Sequence, residues 1–271
     1  MKTLYLSDLD GTLLNSACRI TPFTAETINR LCENGILFSF ATARSRSTTL
    51  KVTKGIECSL PVIVYNGVFT VEYKSGKMLC SNFFSDGDSR EILSALLGAE
   101  IDPIVYSVTN GQEKFSYLLN DLSPAAAEFV TSRTNDRRDN PVAHRSELLN
   151  GETFYFTCID KAENLRPLYE QFKDRFRCVY SKDIYTGEQW LEIMPSGATK
   201  AQAALKLKKA LGCGRIVAFG DSENDLDLFA VADECYAVEN AVPELKTRAT
   251  AVIGSNNEDA VAKFLLQRCT E

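Results

Sequence analysis

With 271 residues, 45% of them hydrophobic and 24% charged, the chain has the make-up of a globular protein with room for two domains of ~100–150 residues. Its net charge of −6 argues against a general affinity for nucleic acid. No apolar run approaches the ~18 residues of a membrane span, and the first residues lack the basic, apolar and small-residue pattern of a secretory signal, so a cytoplasmic location is expected. Nine cysteines without a Cys-x-x-Cys pair are read as reduced, mostly buried thiols. The single histidine, His144, lies in a polar run and is expected to be exposed, which leaves too few partners for a zinc site or for cysteine–histidine catalysis.

Leu4-Tyr5-Leu6 reads as a buried strand that stops at two aspartates, Asp8 and Asp10, with Gly11 behind them. Residues two apart in an extended chain point the same way, so both carboxylates face one pocket if the strand geometry persists. Their repulsion then calls for a cation or a shared proton. The alternative for this pair is a solvated loop or a helix cap. Thr21-Pro22 starts a helix that Asn34-Gly35 ends. A second buried strand over 36–41 delivers Thr42 at its tip, 45–54 is helical, and a third strand over 61–65 ends at Asn66-Gly67. Apolar strands alternating with helices describe a parallel sheet covered on both faces, whose ligands bind beyond the carboxyl ends of the strands. Asp8, Asp10, Thr42 and Asn66 all fall at such ends; taken singly, Thr42 also suits a helix cap and Asn66 a left-handed turn.

A hairpin over 69–84, turning at Ser75-Gly76, precedes a change of pattern. A helix over 88–97 follows, then strands over 103–109 and 114–119 joined by Asn110-Gly111. After them come a helix over 124–133, a polar and mobile loop over 135–141, a strand over 153–159, a helix over 162–176 and two strands ending at Met194. These hairpins indicate an antiparallel sheet with helices on one face. We therefore read 84–190 as a domain inserted into a core made of 1–83 and 191–271, with flexible links at 85–87 and 195–197.

Lys200 opens the next helix, which carries Ala203, Leu207 and Leu211 and stops at Gly212. A cation there opposes the helix dipole unless an anion lies beside it. The strand over 215–219 ends in Gly220-Asp221-Ser222-Glu223-Asn224-Asp225, with Asp221 at the tip and Asn224 and Asp225 in the first turn beyond. Strands over 235–238 and 251–253, each followed by a helix, complete the chain. The assembled set is dense in carboxylate oxygen, which calls for a hard divalent cation, and Mg²⁺ is the usual one beside phosphate. The Thr42 hydroxyl, Lys200 and backbone N–H groups suit phosphate oxygens.

In order and spacing, Asp8-x-Asp10-Gly11-Thr12, Thr42, Lys200 and Gly220-Asp221-x-x-Asn224-Asp225 resemble the four motifs of the haloacid dehalogenase-like superfamily. The long insertion between the second and third motifs resembles the larger cap of its Cof-type phosphatases. The resemblance covers essentially the whole chain. It implies an α/β fold, a Rossmann-like parallel-sheet core with an inserted α+β cap domain, and a phosphatase acting on small phosphorylated metabolites such as sugar phosphates, pyridoxal phosphate or flavin mononucleotide. It also implies Asp8 as nucleophile, Asp10 as general acid and base, and Thr42 and Lys200, with Asn66 and Asn224, on the phosphate side. The Mg²⁺ set it implies is Asp8, Asp221 and Asp10 through its backbone carbonyl, supported by Asp225. The chain departs from the family in Ala41-Thr42-Ala43-Arg44, where glycine usually follows the threonine, and the added methyl is expected to crowd that loop. A sugar phosphomutase shares this machinery, and a phospho-accepting receiver shares part of it; Asp10 and the insertion count against the receiver. Substrate recognition is expected from the cap, where Tyr106, Tyr117, Trp190 and Glu192 have no position that spacing assigns.

Overall fold

The computed structural model describes residues 1–57, 59–133, 135–182 and 187–270. In chain order, β1 (Thr3–Ser7), α1 (Pro22–Glu33), β2 (Leu37–Phe40), α2 (Arg46–Val52), β3 (Pro61–Val64), β4 (Phe69–Glu72) and β5 (Met78–Ser81) come first. The middle of the chain forms α3 (Asp86–Gly98), β6 (Ile104–Thr109), β7 (Gln112–Tyr117), α4 (Pro124–Thr131), β8 (Asp139–Pro141), β9 (Glu152–Asp160), α5 (Ala162–Phe172), β10 (Arg177–Lys182) and β11 (Gln189–Met194). The last part is α6 (Lys200–Ala210), β12 (Arg215–Gly220), α7 (Leu226–Val231), β13 (Glu234–Ala237), α8 (Pro243–Arg248), β14 (Ala251–Val252) and α9 (Ala260–Thr270). Two compact units result, Met1–Ser81 with Ala198–Glu271, and Asn82–Gly197.

In the first unit a parallel sheet runs in the order β14-β13-β12-β1-β2, with β1 between β12 and β2. Its central strands are fully buried through Leu4, Leu6, Phe38, Phe40, Val217 and Phe219, as apolar runs flanked by helices require. The helix boundaries follow from local chemistry. The Thr21 hydroxyl accepts the Thr24 N–H and Pro22 occupies the first turn of α1, while Gly35 beyond its end takes φ +87°. Thr199 caps α6 in the same way, through the Gln202 N–H. The third strand of the expected parallel series departs from expectation. β3 pairs antiparallel with β4 in a separate three-stranded sheet, β3-β4-β5, and meets the main sheet beside β2, where Ser39 Oγ donates to the Pro61 carbonyl at 2.6 Å, Ala41 bridges Ile63 and Thr42 N–H donates to the Ile63 carbonyl at 3.0 Å. Hairpin pairing with the adjacent β4 supplies β3's ladder locally.

The second unit is a six-stranded sheet, β10-β11-β9-β6-β7-β8. Here three expectations are corrected. β11 pairs with β10 and β9 along its length, so a boundary at 190 cuts a strand and Leu191–Met194 belong to this unit. The 135–141 stretch contains an edge strand, β8, which runs parallel to β7 and is held by Tyr117 Oη donating to Asp139 (2.8 Å) and by the Arg138–Asp136 ion pair (2.6 Å). Helices also cover both faces. α3 and α5 pack on Val105, Phe156, Cys158, Leu191 and Ile193, whereas α4 brings Val130 and Phe129 to Ile104, Phe115 and Tyr117, residues of opposite parity along the same strands. Trp190 lies on the α4 face, its ring 5.0 Å from Phe129. Glu192 accepts a hydrogen bond from Tyr155 Oη (2.9 Å), and burial pushes its carboxyl above the ordinary value.

The described cysteines are all free thiols, Cys158, Cys213 and Cys235 being buried and the others half-buried; Cys58 lies outside the described residues. His144 is exposed. No described helix is long and apolar enough to cross a membrane.

Gly67 tests how tightly the 65–67 turn is built against α6. It takes φ +101°, and a Cβ there lies 2.2 Å from the Thr199 carbonyl oxygen, whereas Gly212 takes φ +63° in open space. Gly67→Ala is expected to lower stability by ~3 kcal/mol and Gly212→Ala by only ~1 kcal/mol, the second reporting backbone strain alone. Urea unfolding of the two variants measures the difference.

Candidate active site

Three neighbouring strand tips assemble the site: β1 delivers Asp8, β2 delivers Thr42 and β12 delivers Asp221. Beyond β1 the chain opens into a wide turn over Leu9–Leu13, closed by Leu14 N–H on the Leu9 carbonyl (2.8 Å). Gly11 takes φ +72° in that turn, and a Cβ on it falls 2.3 Å from Asp221 Oδ2, so only glycine lets the two strand-tip loops approach this closely. A Cβ on Gly220 likewise meets Asp225 Oδ2 at 2.6 Å.

Lys200 is buried to 1% exposure at the first residue of α6. Its Nζ donates to Asp8 Oδ1 at 2.6 Å and Asp225 Oδ1 at 2.7 Å. Asp8 and Asp225 are themselves buried. The conflict between a cation and a helix N-terminus is thus met by two carboxylates. Asp225 carries a further load: its Oδ2 accepts the backbone N–H groups of Asp221 (3.1 Å) and Ser222 (3.3 Å), which shapes the loop after β12. Asp221 accepts the Thr12 hydroxyl at 3.1 Å. Oxygens of Asp8, Asp221 and Asp225 lie within 4.8 Å of one another.

Three carboxylates around one ammonium leave two negative charges uncompensated when all are ionised. Burial, with Lys200 opposing and Asp225 and Asp221 adding to it, raises the Asp8 carboxyl well above its ordinary value. Burial and Asp225 push Asp221 up to about 7. Burial works against the charge on Lys200, but Asp225 and Asp8 outweigh it and the ammonium is held more firmly than usual. This donor set fits a hard divalent cation. Its donors are carboxylate oxygens alone, the kind such ions take, and the ion supplies the missing positive charge.

Asp10 was expected to reach an ion only through its backbone carbonyl, and its side chain has another partner. Its carboxylate stands outside the acidic group and lies in the fork of Arg44, with Nε to Oδ2 and Nη2 to Oδ1 both at 2.6 Å. The guanidinium satisfies the charge that an ion was expected to balance, so only the backbone carbonyl of Asp10 is left as a donor. Asn66 takes φ +54°, the left-handed turn that was the alternative for it, and also accepts Asn224 Nδ2 at 3.2 Å. Thr42 is buried, its hydroxyl accepting the Arg44 N–H at 3.1 Å. Ala43 is exposed and keeps a negative φ, so its methyl group meets solvent rather than crowding the loop.

Arg44, Thr12 and Asn240 are site residues that spacing did not single out. The first two sit inside the quoted motifs and had a signal to be read. Asn240, whose Nδ2 donates to the Gly11 carbonyl at 2.7 Å, comes from 229 residues away and had none.

The parallel sheet carries Asp8, Thr42 and Asp221 at its strand tips, and Lys200 at the start of α6 reaches Asp8, an arrangement that resembles the haloacid dehalogenase-like hydrolases. The profile of that family matches residues 5–265, and the chain belongs to it, as a Cof-type member with a large insertion. It is 29% identical over 280 residues to the 5-amino-6-(5-phospho-D-ribitylamino)uracil phosphatase YwtE of Bacillus subtilis (strain 168), covering 96% of each chain. A second phosphatase of the same printed activity from that organism, YitU, is 25% identical over 277 residues, covering 95% of this chain and 94% of that one. A crystal structure from Thermotoga maritima matches with a TM-score of 0.79 and 26% identity over 99% of this chain and 97% of the other. The protein is accordingly a hydrolase of the phosphatase kind.

The raised Asp221 carboxyl gives a pH test. A carboxyl whose pKa rises on folding, here from 3.8 to about 7, binds its proton more tightly in the folded state, so it favours folding at low pH and that advantage is lost as pH climbs through about 7. Asp221→Asn should therefore gain thermal stability over the parent as pH rises across that window in metal-free buffer. Added Mg²⁺ should raise the parent's midpoint and leave the variant's nearly unmoved, both read by scanning calorimetry.

Proposed function

We propose that this chain is a Mg²⁺-dependent phosphatase that hydrolyses phosphate monoesters of small metabolites, sugar phosphates or cofactor phosphates among them, through an aspartyl-phosphate on Asp8. The observation that carries this reading is the buried Lys200, which holds the Asp8 carboxylate in place while the acid group around it stays short of positive charge. The curated relatives named as phosphatases of a phosphoribitylamino-uracil support a substrate that joins a polyol phosphate to a small ring. The free thiols fit a reducing compartment, and we place the enzyme in the cytoplasm.

Asp8 attacks phosphorus. Lys200 orients it and, with Thr42, holds the transferring phosphoryl oxygens, while Asn224 and Asn66 brace the loops on that side. Asp10 gives a proton to the departing alcohol and later takes one from the water that cleaves the aspartyl-phosphate. Mg²⁺ held by Asp8, Asp221 and the Asp10 carbonyl, with Asp225 supporting, would screen the repulsion between the Asp8 carboxylate and the phosphate dianion. Enzymes accelerate phosphate-monoester hydrolysis by up to ~10²¹ and general acid catalysis supplies only ~10²–10⁴. The covalent route, charge and positioning must supply the rest.

A phosphate-release assay over a panel of sugar, pyridoxal, flavin and nucleotide phosphates tests the proposal. Turnover should stop with a chelator and return with Mg²⁺. Asp8→Asn should lose all measurable turnover while its circular dichroism spectrum stays that of a folded chain; residual release by that variant refutes the nucleophile. Return of phosphate to a second sugar position, dependent on a bisphosphorylated activator, identifies a mutase instead, and a phospho-Asp8 that persists for many minutes identifies a receiver.

A further inference from the structure

Arg44 is given no part in the chemistry above, yet its guanidinium forks the Asp10 carboxylate. Its fork fixes both the position and the plane of the Asp10 carboxylate, since a guanidinium meets both oxygens only in one orientation. The backbone beneath it is held as well: Arg44 N–H donates to Thr42 Oγ1 (3.1 Å) and the Arg44 carbonyl accepts Tyr65 N–H (3.0 Å). Beyond Asp10, Asn240 grips the Gly11 carbonyl and Thr12 donates to Asp221. The Asp10 side chain nevertheless keeps 46% exposure, against 24% for Arg44, so the carboxylate is both clamped and reachable. A two-bond fork of this kind fixes orientation as well as balancing charge.

We propose that Arg44 is a positioning residue for proton transfer, holding Asp10 apart from the Asp8–Asp221–Asp225 group and aimed at the leaving oxygen. This rests on Asp10 acting as acid and base. In the first half-reaction an Asp8 oxygen bonds to phosphorus as the ester P–O bond breaks, the electron pair leaves on the ester oxygen, and the Asp10 proton moves to that oxygen. In the second, a water oxygen bonds to phosphorus, its proton passes to Asp10, and the P–O bond to Asp8 breaks, so both aspartates end as they began. The fork fits the carboxylate that Asp10 becomes between the two halves, whereas the protonated carboxyl keeps at most one of the two bonds. Arg44 therefore grips Asp10 hardest once its proton has left.

Leaving-group dependence tests this without relying on stability. kcat/KM ends at alcohol release and excludes the water step, and p-nitrophenolate leaves without a proton. Arg44→Ala is expected to lower kcat/KM by roughly 10²-fold on the alkyl phosphate turned over fastest in the panel, a share of the ~10²–10⁴ of general acid catalysis, and by no more than about threefold on p-nitrophenyl phosphate. Arg44→Lys, which keeps the charge and loses the fork, should fall between, and methylguanidine should restore part of the Arg44→Ala loss on the alkyl ester only. Equal losses on both esters would overturn the proposal in favour of direct phosphate contact, and no loss on either would reduce the pair to a surface ion pair. Asp10→Asn run alongside must show the same selectivity, only larger. If it shows none, the role of Asp10 itself fails, and the Arg44 result is read as loop structure.

Discussion

One buried ammonium between two buried carboxylates governs this fold's functional end. Lys200 cannot leave water without partners, and Asp8 and Asp225 cannot both be buried as anions without a cation, so each makes the others' positions affordable only together. Removing one member of such a pair typically costs ~3–5 kcal/mol because it strands a charge. The constraint joins β1, the start of α6 and the loop after β12, three segments far apart in the chain. It also explains why Asp225 is used twice, once for Lys200 and once for the backbone N–H groups that shape the Asp221 loop.

The same accounting of charge sorts the acids by task. Asp8, buried, and Asp221, half-buried, share an excess of negative charge, have raised pKa values and gain most from a divalent ion. Asp10, two residues from Asp8 in sequence, escapes that excess because Arg44 neutralises it directly. Two aspartates of one motif thus acquire different partners, Asp8 an ammonium and Asp10 a guanidinium, which suits the separate roles proposed for them. Glycine at 11 and 220 permits this crowding, since a methyl group at either position enters an aspartate carboxylate.

The inserted unit is built on another principle. Its sheet is covered on both faces, and alternate residues of β9 and β11 go to different cores: Phe156, Leu191 and Ile193 to α3 and α5, their neighbours Tyr155, Trp190 and Glu192 to the α4 side. Polar and aromatic groups share that second face, where Glu192, half-buried, accepts the Tyr155 hydroxyl. Spacing had left Tyr106, Trp190 and Glu192 without a position; sheet parity assigns them one face.

Much of the architecture was legible in the chain alone. Apolar runs ending in polar clusters mark β1, β2 and β12 and put Asp8, Thr42 and Asp221 at their tips, because a buried parallel strand needs side chains apolar on both faces. A capping threonine followed by proline marked α1, because an orphan N–H needs an acceptor within three residues. These signals are local, and local signals survive in a linear text. What only tertiary structure decided was pairing across distance: that β3 turns to β4, that β11 completes the inserted sheet, that Arg44 pairs with the Asp10 carboxylate, and that Asn240 reaches Gly11. Strand partners and salt-bridge partners are chosen by which groups the packed fold brings within ~3 Å, where hydrogen-bond and ionic energies act, and separation along the chain carries no record of that choice.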